Sequence, residues 1–143
     1  MPWQGHLWIG EKPKSLEDVA DIWKRLGQDV NLNQEPEDIS VALEYIHIDT
    51  EITVDGIEMP VTISFATEWE RLGSMGEILK REMDMLVGFK LTSRYRGSIL
   101  DKGDKGRPEP FEVDIAKTKD ILEQIRTKMN WPEANVYMWT QWH

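Results

Sequence analysis

The chain has no cysteine. This absence excludes a disulfide framework, a thiolate zinc site and a cysteine nucleophile, and it favours a cytoplasmic location. No apolar run reaches the length of a membrane span, and no cationic segment followed by an apolar one opens the sequence, so neither membrane insertion nor secretion is expected. The chain also lacks a P-loop and a G-x-S-x-G nucleophile motif. The sequence therefore has little material for the usual nucleophile arrangements and no P-loop nucleotide site.

Positive charge is missing from one long stretch. From Leu26 to Glu70, 45 residues contain eleven Asp or Glu and no Lys or Arg, although the whole chain has a net charge of -9. This acidic block predicts a cationic partner, which is either another protein or a basic segment of the same chain. The overall charge repels nucleic acid and anionic membranes, so neither is an expected direct partner.

Length and composition favour one soluble domain. The 143 residues are 40% hydrophobic and 30% charged, which is typical of a globular protein that can bury its own core. No repeat and no long Pro/Gly/Ser linker divides the chain. We therefore interpret residues 1–143 as a single α+β domain.

A β-hairpin around Asp55-Gly56 is the clearest local prediction. This dipeptide is typical of a type I′ turn, and counting outward from it pairs apolar residues on one face of two strands. Pro60 falls opposite Glu51 at a non-hydrogen-bonded position, which predicts a sheet edge on that side of the second strand. All but Thr50 of the paired residues are apolar, and the predicted pairs are Val54 with Ile57, Ile52 with Met59, Thr50 with Val61, Ile48 with Ile63, and Ile46 with Phe65.

Three helices are predicted from caps and periodicity. Ser15 is placed to cap the first helix, which Gly27 ends, and Asp114 is placed to cap the last. A middle helix is predicted to begin at Ser74 and to end at Gly88. Strands are predicted at His6 to Gly10, at Phe89 to Ile99, and from Val136 to Trp142; the last is apolar on both faces, which favours a central position in the sheet.

The resulting order, β-α-β-β-α-β-α-β, resembles an extended ferredoxin-like sandwich. Such an arrangement implies a mostly antiparallel sheet with the helices packed on one face. The first and last strands are both rich in aromatic residues, so we expect them to pair or to lie close together in the middle of the sheet.

The favoured functional hypothesis is a small non-catalytic protein-binding module. The acidic hairpin and the loop before it would dock a basic surface of a toxin, a nuclease or another nucleic-acid-binding protein, as an immunity protein, an antitoxin or a phage-encoded inhibitor does. This interpretation needs no cofactor, metal ion or catalytic residue. The candidate partner-binding residues are Glu35, Glu37, Asp38, Tyr45, His47, Asp49, Glu51, Asp55 and Glu58.

Three alternatives remain open at the level of sequence. The basic strand with Lys90, Arg94 and Arg96 could neutralise the hairpin as cross-strand pairs. His47, Asp49 and Glu51 alternate on one strand face, so a small enzyme or ligand-binding protein could use them around a pocket as a metal or acid/base site. Finally, the chain could form a homodimer through the edge at Pro60 or through its terminal Trp residues.

Overall fold

The computed structural model describes residues 3–30, 43, 45–67, 85–93, 97–98 and 114–142. Within these residues the fold is α+β, with an antiparallel sheet and two helices. The elements are β1 (Trp3–Glu11), α1 (Leu16–Arg25), β2 (His47–Val54), β3 (Ile57–Thr67), β4 (Met85–Ser93), β5 (Gly97–Ser98), α2 (Ile115–Lys128) and β6 (Asn135–Trp142).

The described strands form one sheet in the order β2-β3-β4-β1-β6, and the short β5 pairs with β4. Every pairing between these strands is antiparallel. The expected pairing of the first and last strands is confirmed, since β1 and β6 align from Trp3 with Trp142 to Gly10 with Asn135. The expected central position of the last strand is wrong, because β6 ends the order of described strands.

The ferredoxin-like order is not confirmed. β4 lies between the β2–β3 hairpin and β1, so the hairpin does not pair directly with the first strand. The pairing of β3 with β4 is short and joins residues 64–67 to residues 85–88. Beside Pro60, β3 therefore has no second partner among the described strands, in agreement with the predicted edge.

The hairpin has the predicted turn and register. Asp55 and Gly56 have φ values of 52° and 77°, the left-handed conformations that a type I′ turn requires at both central positions. The four pairs from Val54 with Ile57 to Ile48 with Ile63 are confirmed, and Glu51 lies opposite Pro60. Local turn chemistry and alternation therefore determine this part of the sheet.

Both helices pack on one face of the sheet. α1, α2 and four strands, β1 to β4, contribute buried side chains to one apolar core. Val136 of β6 is partly buried and packs against that core. Trp23 of α1 and Trp131, which follows α2, are completely buried there. Neither described helix is long and apolar enough to cross a membrane.

The predicted middle helix is wrong at its carboxyl end. Leu86 and Gly88 lie in β4, which begins at Met85. Leu86 fits a helical stripe in the sequence because it is apolar. In the structure it is fully buried, but it packs with Trp8 on the sheet face opposite the main core. A strand that is apolar on both faces can imitate helical spacing over a few residues. The predicted start of this helix lies outside the described residues.

Both helices end in the same hydrogen-bonding motif. After α1, Gly27 N–H donates to the Lys24 carbonyl (3.0 Å) and Gln28 N–H donates to the Trp23 carbonyl (2.8 Å). After α2, Asn130 and Trp131 repeat the pattern, with Trp131 N–H donating to the Arg126 carbonyl at 2.9 Å. This Schellman arrangement needs a left-handed residue just beyond the helix, and Gly27 (φ 90°) and Asn130 (φ 48°) supply it.

We expect opposite effects of substitution at these two positions. Gly27→Ala should lower the free energy of unfolding by about 1 kcal/mol, because alanine must adopt a positive φ although no atom obstructs its side chain. Asn130→Gly should raise it by a few tenths of a kcal/mol for the converse reason. Urea unfolding followed by tryptophan fluorescence measures both, and equal changes at the two sites would contradict the assignment.

Candidate functional site

The acidic residues of the hairpin lie on the sheet face opposite the helices. Ile52, Val54 and Val61 face the core, so their sequence neighbours at alternate positions face the other way. Asp49 and Glu51 of β2 and Glu58 of β3 occupy these outward positions, and all three are exposed. We call these three residues the acidic face.

The hydrogen bonds within the hairpin order part of this surface. Thr62 Oγ1 donates to Asp49 Oδ1 at 2.8 Å, across the pair that these residues form in the ladder. His47 Nδ1 lies 3.1 Å from the Tyr45 carbonyl oxygen, and its Nε2 lies 3.8 Å from Asp49 Oδ2. The Thr62 hydrogen bond holds the Asp49 carboxylate close to the sheet while 71% of the Asp49 side chain stays exposed.

The geometry adds no support for a metal or acid/base site around His47. The His47 and Asp49 side chains are 56% and 71% exposed, so they lie on an open strand surface. In the ranges that the structure describes, no group of three His, Asp or Glu side chains is placed to hold a metal ion.

The strand with Lys90 lies beside the hairpin, as the self-neutralisation alternative requires. However, Lys90 is aligned with Trp8 of β1, and its Nζ lies 5.6 Å from the centre of the Trp8 ring. Among the described residues, no Lys or Arg forms an ion pair with Asp49, Glu51 or Glu58. Within the described part of β4, its position beside the hairpin therefore does not by itself neutralise the acidic face. Arg94 and Arg96 lie outside the described residues.

Among the described residues, the cations that contact the hairpin come from α2. Lys117 Nζ forms a 2.9 Å ion pair with Asp55 Oδ2 at the turn, and Lys128 Nζ donates to the Glu51 carbonyl oxygen at 2.6 Å. Between them, Gln124 donates to the Thr53 carbonyl and accepts from the Thr53 N–H, both at 2.8 Å. The side-chain amide thus substitutes for a neighbouring strand at Thr53.

Sequence reasoning did not identify these α2 residues. Lys117, Gln124 and Lys128 are spaced by seven and four residues, so they share one helix face. That spacing was visible in the sequence. Their contact with β2 was not, because it depends on how the helix crosses the edge of the sheet.

The predicted partner-binding residues are placed as follows. Tyr45 is 74% exposed just before β2, and His47, Asp49, Glu51 and Glu58 are exposed on the hairpin. Among the described members of this set, Asp55 is the one that forms an ion pair with a Lys or Arg of the same chain, namely Lys117. Glu35, Glu37 and Asp38 lie outside the described residues.

Comparisons with other proteins assign no family to this arrangement. No protein-family model, no curated protein and no solved structure matches the chain.

Proposed function

We propose that this protein is a small, acidic, non-catalytic binding module that docks a basic protein surface through its acidic face. The partner class is a toxin, a nuclease or another nucleic-acid-binding protein, which the module would inhibit as an immunity protein, an antitoxin or a phage-encoded inhibitor does. The observation that carries the proposal is the exposure of Asp49, Glu51 and Glu58 without a Lys or Arg partner in the described part of the chain.

The arrangement suits long-range attraction of a basic partner. Asp49 and Glu51 project from the same strand face about 7 Å apart, and the hairpin ladder holds them in a fixed register. Carboxylates held in this way enter a cation-lined cleft without first paying the conformational entropy of a flexible acidic segment. A nucleic-acid-binding protein contacts phosphates with Lys and Arg, so its binding cleft is lined with cations in this way.

We expect reversal of the acidic face to weaken partner binding by at least about tenfold, since three attractive charges become repulsive. The test combines Asp49→Lys, Glu51→Lys and Glu58→Lys in one variant. Wild type and this variant are each used as bait to capture partner proteins from the native host. The captured basic protein is then purified, and its affinity is measured at increasing salt. Wild-type affinity should fall steeply with salt.

A matched variant separates location from net charge. Glu17→Lys, Asp21→Lys and Glu123→Lys together change the charge by the same amount at exposed positions on the two helices. This control should retain partner binding within a few-fold. If both triple variants lose affinity equally, or if reversal of the acidic face changes neither affinity nor salt slope, the proposed site is wrong.

A further inference from the structure

Among the described residues, the edge of β2 that faces away from β3 is only partly covered. The two-residue turn makes Val54 and Ile57 a hydrogen-bonded pair, so alternate residues of β2 direct their N–H and C=O groups away from β3. His47, Asp49, Glu51 and Thr53 are these outward residues. The two hydrogen bonds of the Thr53 backbone to Gln124 agree with this assignment.

α2 covers the half of this edge nearest the turn. Gln124 satisfies both backbone groups of Thr53, and Lys128 satisfies the Glu51 carbonyl. Beyond that point α2 makes no hydrogen bond to the edge of β2. Neither the N–H and C=O of Asp49 nor the N–H of Glu51 has a hydrogen-bond partner among the described residues.

Uncovered strand edges recruit other strands. Extended peptides add to such edges through main-chain hydrogen bonds, while alternate side chains provide specificity. The open edge here is also short and charged, because Asp49 and Glu51 lie along it on one face and Ile48 and Thr50 lie half-buried on the other. A neutral or acidic strand would gain the backbone bonds but not the charge pairing.

We propose that a basic, extended segment of the partner adds as a strand to β2 along His47 to Glu51. This inference rests on the proposed function and specifies its mode of docking. Lys or Arg would lie opposite Asp49 and Glu51, and apolar or β-branched residues would alternate with them on the face of Ile48 and Thr50. A second copy of this chain is the poorer occupant, since pairing β2 with itself would bring like charges together.

The test uses a dye-labelled peptide of about seven residues in which Lys alternates with Val. A block peptide of the same composition has the same charge but cannot place it on one strand face. Wild type should bind the alternating peptide at least about tenfold more tightly than the block peptide, as measured by fluorescence anisotropy.

Two substitutions at Asp49 separate the contribution of its backbone N–H to peptide binding from the contribution of its charge. Asp49→Asn removes the charge and keeps the N–H, and should weaken peptide binding about threefold. Asp49→Pro also removes the outward N–H. It keeps the main-chain bonds to β3 but loses the side-chain bond from Thr62, and it should weaken binding by at least about tenfold. In wild type, peptide binding should also slow amide hydrogen exchange at Asp49 and Glu51, which tests the mode even if the proline variant is unstable.

The outcomes distinguish the two proposals. Equal effects of the proline and asparagine variants, no preference over the block peptide, or unchanged amide exchange would overturn strand addition. The acidic face would then still stand if its charge reversal abolishes capture of the native partner. The opposite result is also possible: Asp49→Pro loses peptide binding, but the charge-reversed triple variant still binds the native partner. That result would contradict the proposed function and would still support strand addition at the edge of β2.

Discussion

Gly88→Ala should lower the free energy of unfolding by at least about 3 kcal/mol, which is a large part of the stability of a domain of this size. Gly88 of β4 lies directly opposite Gly10 of β1. The two backbones approach so closely that a Cβ on Gly88 would lie 2.8 Å from Gly10 Cα and 2.9 Å from the Ile9 carbonyl carbon, with the Ile9 carbonyl oxygen closer still.

The obstructing atoms cannot move aside cheaply. They belong to the backbone of β1, which pairs with β4 on one side and β6 on the other. Any shift that admits a methyl group must therefore disturb two ladders at once. Gly10→Ala should be similarly costly, because its Cβ would meet Gly88 Cα at 2.8 Å and the Val87 carbonyl group.

The measurement is urea unfolding followed by fluorescence of the buried Trp23 and Trp131, with circular dichroism as a second probe. Gly27→Ala is the matched control, since it makes the same chemical change where no atom lies within 4 Å of the new side chain. If Gly88→Ala costs no more than Gly27→Ala, the close approach of β1 and β4 is incorrect. A Gly88→Ala chain that does not fold agrees with the expectation, provided that Gly27→Ala folds.

Glu11→Ala should be the second costly substitution, lowering the free energy of unfolding by about 3 kcal/mol. Glu11 ends β1, and its two carboxylate oxygens accept from both terminal nitrogens of Arg25 at 3.0 and 2.8 Å. Trp131 Nε1 also donates to Glu11 Oε1 at 2.8 Å. One carboxylate thus joins β1, the end of α1 and the segment after α2.

Burial decides how much these bonds contribute. The Glu11 side chain is 16% exposed and Trp131 is fully buried, so removal of the carboxylate leaves an indole N–H without an acceptor inside the protein. The Arg25 pair contributes less than a buried pair would, because solvent screens a guanidinium that is 37% exposed. The hydrogen bond to Glu11 raises the pKa of Arg25 above its ordinary value.

Two comparisons separate these contributions in urea unfolding. Glu11→Gln keeps an acceptor for Trp131 but removes the charge, and should cost about 1 to 2 kcal/mol less than Glu11→Ala. Glu133→Ala removes a 3.0 Å ion pair to Arg25 from a side chain that is 46% exposed, and should cost less than about 1 kcal/mol. Equal losses for all three variants would show that Glu11 is not the central acceptor.

The elements that sequence predicts best are those whose causes are local. The hairpin register follows from Asp55-Gly56 and from strict alternation, and the ends of α1 follow from Ser15, whose Oγ accepts from Asp18 N–H, and from Gly27. The candidate site could also be predicted in part from the sequence, since alternation alone places Asp49 and Glu51 on the outward face. Its surroundings were not, because the contacts of Lys117 and Gln124 join residues 62 and 71 positions apart.

The same distinction explains the errors. Leu86 and Gly88 matched helix signals because helical and two-sided strand patterns coincide over short stretches, and only pairing with β1 and β3 distinguishes them. β6 was expected in the centre because it is apolar on both faces, but strand order depends on which edges meet after the chain folds, and pattern does not encode that.

The sequence itself determined two features. Its composition gave the segment from Leu26 to Glu70 charge of one sign, and turn chemistry with a period of two formed the hairpin that carries part of that charge. Tertiary structure decided whether the described carboxylates of the hairpin have a Lys or Arg partner. It placed β4 beside the hairpin but directed Lys90 over Trp8, and it brought α2 across half of the β2 edge. The physical reason is that ion pairing and edge cover depend on distances between residues far apart in the chain, which packing alone fixes.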